Sequence, residues 1–205
     1  MFEITSAPIS RFLTAISFFI SLLLYFRIIN TFQVYFNIDQ IIYNNELWRP
    51  FTAIFCFGPF EFETVFNLIK FIYYSAEIEA SVYKEKPADF IVFLVFGSIF
   101  IWIYAAFMPV VYLGEPFSFY FFYYWGKRIA SNMNWHFRLI SPIWVSMILL
   151  IAGIVKGGLS FVLSELVGYC AAHLYFFIHD VLNLKYEKHF LCLSPAANSF
   201  LSEHL

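Results

Sequence analysis

The segment from Ala88 to Phe107 reads ADFIVFLVFGSIFIWIYAAF, and this stretch of sequence decides the fold class. After Asp89 it contains no charged residue, and Pro109 follows shortly after its end. An apolar segment of about 20 residues is long enough to cross the hydrocarbon core of a bilayer as an α-helix. The sequence therefore predicts a membrane-spanning helix here.

The composition extends this prediction to the whole chain. Of its 205 residues 61% are hydrophobic and only 13% are charged, whereas soluble domains carry about 25% charged residues. We therefore expect an all-α polytopic membrane protein with short loops. The net charge of −2 excludes nucleic acid as a partner, because no basic patch is present. The three cysteines, Cys56, Cys170 and Cys192, are scattered and predict neither a disulfide framework nor a metal site; no cofactor is expected.

Six apolar segments are spaced along the chain. They cover residues 12–29, 64–82, 88–107, a short aromatic stretch between Pro116 and Lys127, 142–155 and 160–181. The connection at about 30–62 is rich in aromatic residues and suits the membrane interface, where Trp and Tyr side chains are enriched. We expect a bundle of six transmembrane helices over residues 1–182 and a short cytosolic tail over 183–205.

The distribution of Lys and Arg predicts the orientation of the bundle. If the N-terminus is cytosolic, eight basic residues lie on the cytosolic side and three on the opposite side. The first group is Arg11, Lys84, Lys86, Lys127, Arg128, Arg138, Lys185 and Lys188, and the second is Arg27, Arg49 and Lys156. The positive-inside rule therefore favours cytosolic N- and C-termini. A bundle of five spans would place Lys185 and Lys188 on the wrong side.

The second apolar segment carries a row of polar residues at helical spacing. These are Asn67, Lys70, Tyr74, Glu77 and Ser81, at steps of three and four that place them on one helical face. A charge that faces lipid near the bilayer centre costs about 2.5–3.5 kcal/mol, so we expect this face to turn toward the protein interior or a wet cavity. The alternative is that Glu77 and Glu79 lie near the cytosolic end and reach the headgroups.

The sixth segment carries small residues at intervals of four. They are Ser160, Ser164, Gly168 and Ala172. This spacing lets another helix approach closely, so we interpret it as a packing motif. The segment also contains two ionisable residues, Glu165 and His173, and we expect a lone histidine in such a bundle to form hydrogen bonds across helices.

Five segments carry recognisable motifs. They are Leu47-Trp48-Arg49-Pro50-Phe51-Thr52; Asn67-Leu68 with Tyr74-Ser75 and Glu79; Lys86-Pro87-Ala88-Asp89-Phe90; Glu165-Leu166-Val167-Gly168 with His173-Leu174-Tyr175-Phe176-Phe177; and Phe190-Leu191 with Pro195. In this order they resemble the motifs WRPxT, NLYFLYxYSxxLE, RPADY, ELIGxxxGHLYFF and FLxTPxFL of the Derlins, pseudoenzyme members of the rhomboid superfamily. These matches occur in the family's order over about residues 47–200. The second glycine of the sixth segment is replaced by Ala172, and the fourth and fifth segments match poorly.

The Derlin resemblance implies a rhomboid-like fold for the six-helix bundle and a non-catalytic role in endoplasmic-reticulum-associated degradation. Derlins help misfolded proteins return to the cytosol beside a membrane ubiquitin ligase, so the expected partners are client polypeptides, such a ligase and the lipid bilayer. The chain ends at Leu205 without the glycine- and arginine-rich tail through which some Derlins recruit a hexameric AAA ATPase, so direct recruitment is not expected. The sequence leaves open whether the working unit is a monomer, a homo-oligomer or half of a mixed channel.

The irregular segments suggest how such a role is performed. A short fourth span and a polar second span would thin the bilayer locally, because a mismatch in length is relieved by deforming lipid. A thinner membrane lowers the free energy of moving polar chain across it. In this hypothesis Trp48, Arg49 and Thr52 anchor the first loop in the lumenal leaflet and hold the distortion.

The alternative function is an active rhomboid-type intramembrane serine protease. Ser118 would be the nucleophile and His173 the base. The residue two before Ser118 is Pro116, where an oxyanion-hole turn requires glycine. Helix rise also separates Ser118 and His173 by about 17 Å in depth, and we therefore expect no catalytic residues. A transporter is a third class, but the sequence has neither internal repeats nor paired broken helices.

Overall fold

The structure is a computed structural model. It describes residues 7–108, 110–129, 142–186, 191, 198 and 201, with the side chains of 142–157, 160 and 184 left out. Every regular element in these residues is helical. The prediction of an all-α polytopic membrane protein is confirmed.

The helices follow the predicted segments closely. They are α1 (Pro8–Tyr25), α2 (Thr31–Val34), α3 (Ile38–Tyr43), α4 (Arg49–Ile54), α5 (Phe62–Ser81), α6 (Pro87–Phe107), α7 (Gly114–Arg128), α8 (Pro142–Phe176) and α9 (Asn183–Tyr186), and a π-helical segment (Phe177–Leu182) joins α8 to α9. The six predicted spans coincide with α1, α5, α6, α7 and the two parts of α8. The short helices α2, α3 and α4 form the first loop.

The boundaries differ from the predicted ones most clearly in the first span. The first span was expected to reach Ile29, but α1 ends at Tyr25, and Arg27 adopts a left-handed backbone conformation with φ of 56°. The fifth and sixth predicted spans are the two helical parts of α8, and they are separated at Gly158, where the backbone is not helical and φ is 70°. Glycine lacks a Cβ and adopts this conformation readily, so the chain turns there without a long loop.

The helices differ in their ability to cross a membrane. In the described part of the chain three are long and apolar enough: Pro8–Tyr25, Pro87–Phe107 and Phe161–Leu182. α5 has 20 residues but carries the polar row. α7 has only 15 residues, which is about 22 Å at 1.5 Å per residue and shorter than a hydrocarbon core of about 30 Å.

Aromatic side chains build the core around α7. Phe117, Tyr120, Phe121 and Tyr124 of α7 are fully buried. The Tyr120 ring stacks on Phe93 of α6 at a centroid distance of 4.5 Å. Because most residues of α7 are buried, this short helix lies in the middle of the bundle, between α5 and the second half of α8.

Glu79 attaches α1 to α5. Its carboxylate accepts hydrogen bonds from the backbone N–H groups of Ile9 and Ser10, at 3.0 and 2.7 Å, and from the Ser10 hydroxyl at 2.6 Å. The first N–H groups of a helix have no partner within the helix and carry a partial positive charge, so a carboxylate is well placed there. The alternative in which Glu79 reaches the headgroups is wrong, because the side chain is buried and caps α1.

Candidate functional site

The polar row of α5 lies against α7. At one end of the row, the Asn67 side-chain amide donates a hydrogen bond to the Glu115 carboxylate at 2.8 Å. Asn67 is buried, and Glu115 is in the first turn of α7. These two polar side chains therefore satisfy each other across the contact between α5 and α7.

Lys70 lies at the middle of the row. Its ammonium stands over the rings of Phe66 and Phe119, 5.3 and 5.4 Å from their centroids. It also interacts electrostatically with Glu115 on α7 and with Glu165 on α8. A small cavity next to it is lined by Lys70, Tyr74, Ser118, Phe119 and Phe122. The cation therefore stands over two aromatic faces at the contact between α5 and α7.

The other end of the row meets the last turns of α7. The Trp125 indole N–H donates a hydrogen bond to Glu77 at 2.7 Å. The Tyr74 ring packs against Phe122 and Trp125, with centroids 5.0 and 5.1 Å apart. Glu77 is half-buried and bonded to α7 rather than extended toward the headgroups. Ser81 is exposed and lies beyond the contact with α7.

Arg49 holds the first loop together. Its guanidinium donates hydrogen bonds to the backbone carbonyls of Phe32 and Tyr35, at 2.8 and 3.1 Å, and forms an ion pair with Glu46. The Arg49 side chain is only 7% exposed. The guanidinium is therefore turned into the loop, where its planar fork serves several acceptors at once.

The other two residues of the predicted anchor motif are placed differently. Trp48 is 53% exposed and precedes α4. The Thr52 hydroxyl donates to backbone carbonyls, including that of Trp48 at 3.1 Å. The loop is joined to α6 by the Trp102 indole N–H, which donates to the Pro50 carbonyl at 2.9 Å. Trp48 is thus the residue of the motif whose ring is exposed on the protein surface.

The end of the first loop covers the start of α7. The Gly114 N–H donates to the Cys56 carbonyl at 3.0 Å. A Cβ on Gly114 would stand 2.7 Å from the Phe57 ring, so the loop approaches α7 where no side chain intervenes. Burial raises the pKa of the Cys56 thiol from 9.0 to about 11, although a hydrogen bond from the Gly58 backbone acts in the opposite direction.

The small residues of the sixth predicted span lie in the second half of α8. Gly168 is in direct contact with the backbone of α7. Ser164 and Ala172 are buried one turn before and one turn after it, and the Ser164 hydroxyl donates to the Phe161 carbonyl at 2.7 Å. The structure thus places Ser164, Gly168 and Ala172 along the side of α8 that packs inside the bundle.

Ser118 and His173 have different neighbours. Ser118 lines the small cavity beside Lys70 and Tyr74, on the side of α7 that faces α5. His173 is exposed, and its Nδ1 shares a hydrogen bond with the Tyr123 hydroxyl. Five residues separate Ser118 from Tyr123 along α7, about 7.5 Å of helix rise.

The family of the chain follows from comparison with known proteins. A family model described as the Der1-like family matches residues 7–195. The chain belongs to the Der1-like family. It is 24% identical over 188 residues to the maize protein Derlin-1.2, which covers 90% of this chain and 76% of that protein. It is 31% identical over 145 residues to mouse Derlin-1, which covers 68% of this chain and 57% of that protein.

Membership in the Der1-like family confirms the Derlin resemblance. It supports a rhomboid-like membrane protein with a role related to endoplasmic-reticulum-associated degradation in general. Human Derlin-1 is similar to the same extent as the mouse protein, at 30% identity over 145 residues.

The sequence did not predict the contacts of two groups of residues. Glu115 precedes Pro116 at the start of α7, and acidic residues are common at helix N-termini. The sequence around Glu115 therefore does not indicate that it pairs with Asn67. The hydroxyl of Tyr83 bonds those of Tyr124 and Tyr175, at 3.1 and 3.2 Å. These tyrosines are far apart in the sequence and do not share a periodic pattern.

Some residues named in the sequence analysis lie outside the part of the chain that the structure describes. They are Phe190 and Pro195 of the tail motif, Cys192, and the basic residues Arg138 and Lys188. Of the tail, Leu191 packs against the core and the Asn198 side chain accepts a hydrogen bond from the Ala88 N–H at 3.0 Å. Among the described residues no group of three or more His, Cys, Asp or Glu side chains is close enough to hold a metal ion.

Proposed function

We propose that this chain is a non-catalytic component of endoplasmic-reticulum-associated degradation. It helps misfolded polypeptides return to the cytosol across a locally thinned endoplasmic reticulum membrane. The observation that carries the mechanism is the packing of the polar row of α5 against α7, a helix of only 15 residues. The Der1-like family match supplies the cellular context.

The length of α7 favours a thin bilayer around this part of the bundle. The helix is about 22 Å long and is bounded by Glu115 in its first turn and by Lys127 and Arg128 in its last turn. Lipid deforms when a helix is shorter than the hydrocarbon core. α5 adds polar groups beside α7. In our proposal a polar polypeptide therefore crosses the membrane in this region with the lowest free-energy barrier.

The first loop has a supporting role in this proposal. Arg49 ties α4 to the end of α2, which makes the loop a stiff unit that can keep its position at the interface. Trp48 projects from this unit, and exposed Trp rings are enriched at membrane interfaces. We infer that Trp48 anchors the loop in the lumenal leaflet, while Thr52 and Arg49 act inside the loop.

The expected partners are part of the proposal. Both termini face the cytosol, in agreement with the positive-inside rule. Misfolded client polypeptides and a membrane ubiquitin ligase then meet the chain within the endoplasmic reticulum membrane. A homo-oligomer and a mixed channel with another protein are both compatible with the described helices.

Membrane thickness tests the mechanism. The protein is reconstituted in lipid nanodiscs, and the distance between headgroup layers is measured by electron cryomicroscopy around the protein and at the disc edge. We expect a thinner bilayer beside α5 and α7 than elsewhere. A bilayer of uniform thickness across the nanodisc would contradict the mechanism.

Turnover of a client tests the cellular role. Deletion of the protein is expected to lengthen the half-life of a misfolded lumenal glycoprotein, and re-expression restores it. In the Lys70→Met variant the apolar side chain keeps most of the volume and removes the charge, so we expect incomplete restoration. Ile69→Leu, on the exposed side of α5, is the matched control and restores turnover fully. An unchanged half-life after deletion contradicts the role.

The protease alternative has a direct test. A nucleophile and its base lie within about 3 Å of each other in hydrolases, whereas Ser118 and His173 have different neighbours. We expect no labelling by a serine-reactive fluorophosphonate. Labelling of the purified protein that disappears in Ser118→Ala would establish the protease instead.

A further inference from the structure

A groove lies on the outer surface of the bundle where α7 meets the second half of α8. Its volume is about 480 Å³, and it is lined by Tyr123, Tyr169, Cys170, His173, Leu174 and Phe177. Small-molecule sites are commonly 300–1,000 Å³ in volume, mostly apolar and aromatic, with a few polar groups that orient the ligand. Cys170 and His173 are exposed, so the groove is open toward the surrounding membrane.

A polar pair forms part of the groove wall. The Tyr123 hydroxyl and His173 Nδ1 share a hydrogen bond. With Nδ1 engaged, the Nε2 edge of the exposed ring is the part of His173 that a ligand can reach. Polar groups that face hydrocarbon are unfavourable unless a hydrogen-bonding partner covers them. The ligand should therefore carry an oxygen at the depth of this pair.

A positive charge stands at the end of the groove. The Lys127 ammonium lies over the Tyr123 ring, 5.8 Å from its centroid, and Lys127 is in the last turn of α7. The adjacent Arg128 is paired with Asp180 at 3.1 Å. Lys127 is about 6 Å of helix rise closer to the end of α7 than Tyr123. The groove thus offers a cation at its mouth and a hydrogen-bonding pair slightly deeper.

We propose that the groove binds one anionic phospholipid from the leaflet at the basic end of the bundle. Its phosphate pairs with Lys127, and an ester oxygen one helical turn deeper bonds the His173–Tyr123 pair. An acyl chain continues along Leu174 and Tyr169. Basic pockets between transmembrane helices bind lipid headgroups by this combination of charge and depth. A partner helix would bury the apolar wall equally well, but it does not explain a cation above the polar pair.

This inference goes beyond the proposed function, because lipid binding requires neither clients nor a ligase. The full chain is reconstituted in phosphatidylcholine nanodiscs that contain a minor fraction of phosphatidylinositol. Native mass spectrometry of the released protein then measures the ratio of the two lipids that stay bound. We expect enrichment of phosphatidylinositol in the wild type. One basic residue contributes about 1 kcal/mol to binding of anionic lipid, so Lys127→Gln should lower the enrichment about fivefold.

Matched variants separate the groove from the general surface charge. Lys84→Gln removes an exposed lysine outside the groove, and we expect it to leave the enrichment unchanged. Leu174→Trp fills the groove and should reduce retention of both lipids. Equal retention of the two lipids by the wild type, or equal losses in Lys127→Gln and Lys84→Gln, would overturn the proposal.

A photo-crosslinker at position 174 provides a second measurement that does not change any charge. Crosslinking to phosphatidylinositol supports the proposal. Crosslinking to another polypeptide in native membranes would assign the groove to a partner helix. Crosslinking to phosphatidylcholine alone would show that the charge of the lipid headgroup does not affect binding. Either result overturns the proposal.

Discussion

Gly168 lies so close to the carbonyl oxygen of Pro116 that a Cβ atom on it would stand 2.1 Å from that oxygen. This contact presses the second half of α8 against the first turn of α7. On its other side α7 meets the polar row of α5, beginning with the bond between Asn67 and Glu115. The short helix is therefore held by close packing on one side and by polar contacts on the other.

Gly168→Ala should destabilise the bundle. The added methyl group meets backbone atoms of α7, including Pro116 O and Tyr120 N, which cannot move as a side chain can. Overpacking of this kind typically costs about 1–3 kcal/mol, and we expect a lower midpoint of thermal unfolding in detergent micelles. Ala15→Val, which enlarges an exposed residue of α1, is the control. Equal midpoints for Gly168→Ala and the wild type would show that the two helices are farther apart.

Glu79→Gln should loosen α1. The substitution keeps the shape of the side chain, but it removes the charge that the N-terminus of α1 favours. Hydrogen bonds to charged groups contribute about 1.5–3 kcal/mol, so we expect a loss in that range in the free energy of unfolding, measured by titration with a denaturing detergent. Glu85→Gln changes an exposed glutamate in the loop after α5 and should have little effect. A loss as small as that of Glu85→Gln argues against capping by Glu79.

Arg49→Lys should loosen the first loop, although the substitution keeps the positive charge. A lysine ammonium cannot reach Glu46 and the carbonyls of Phe32 and Tyr35 with the planar geometry of the guanidinium. Hydrogen–deuterium exchange of residues 30–47 is expected to become faster, while exchange in α6 stays unchanged. Arg27→Lys, at an exposed position, provides the comparison. Unchanged exchange in residues 30–47 would mean that a single positive charge is sufficient.

Cys56 should be unreactive in the folded protein. Its thiol is fully buried, and its pKa of about 11 leaves it protonated near pH 8. The thiolate is the nucleophile in alkylation, so a maleimide should modify Cys56 only after unfolding. Because folding raises this pKa, the titration of Cys56 leaves the stability of the fold unchanged below about pH 9 and lowers it as the pH rises toward about 11. Asn44→Cys, at an exposed position of the loop, should react rapidly; similar rates at both sites would contradict the burial of Cys56.

The positions of the helices could be read largely from local sequence. Long apolar segments located α1 and α6, and the polar steps from Asn67 to Glu77 indicated a face of α5 that avoids lipid. The separation of the last two spans was predicted between residues 155 and 160, and the structure has its non-helical backbone there, at Gly158. The end of α1, in contrast, was misjudged, since Phe26, Ile28 and Ile29 continue its apolar pattern beyond the last helical turn.

The sequence by itself determined that this protein is a membrane protein, where its long helices lie approximately and to which family it belongs, because these depend on composition, periodicity and ordered motifs. The tertiary structure decided which groups meet. It directed the polar row of α5 to α7, Glu79 to the first turn of α1, and Arg49 into its own loop. Such contacts join residues that are distant along the chain, and their energies depend on burial and geometry that no local pattern encodes.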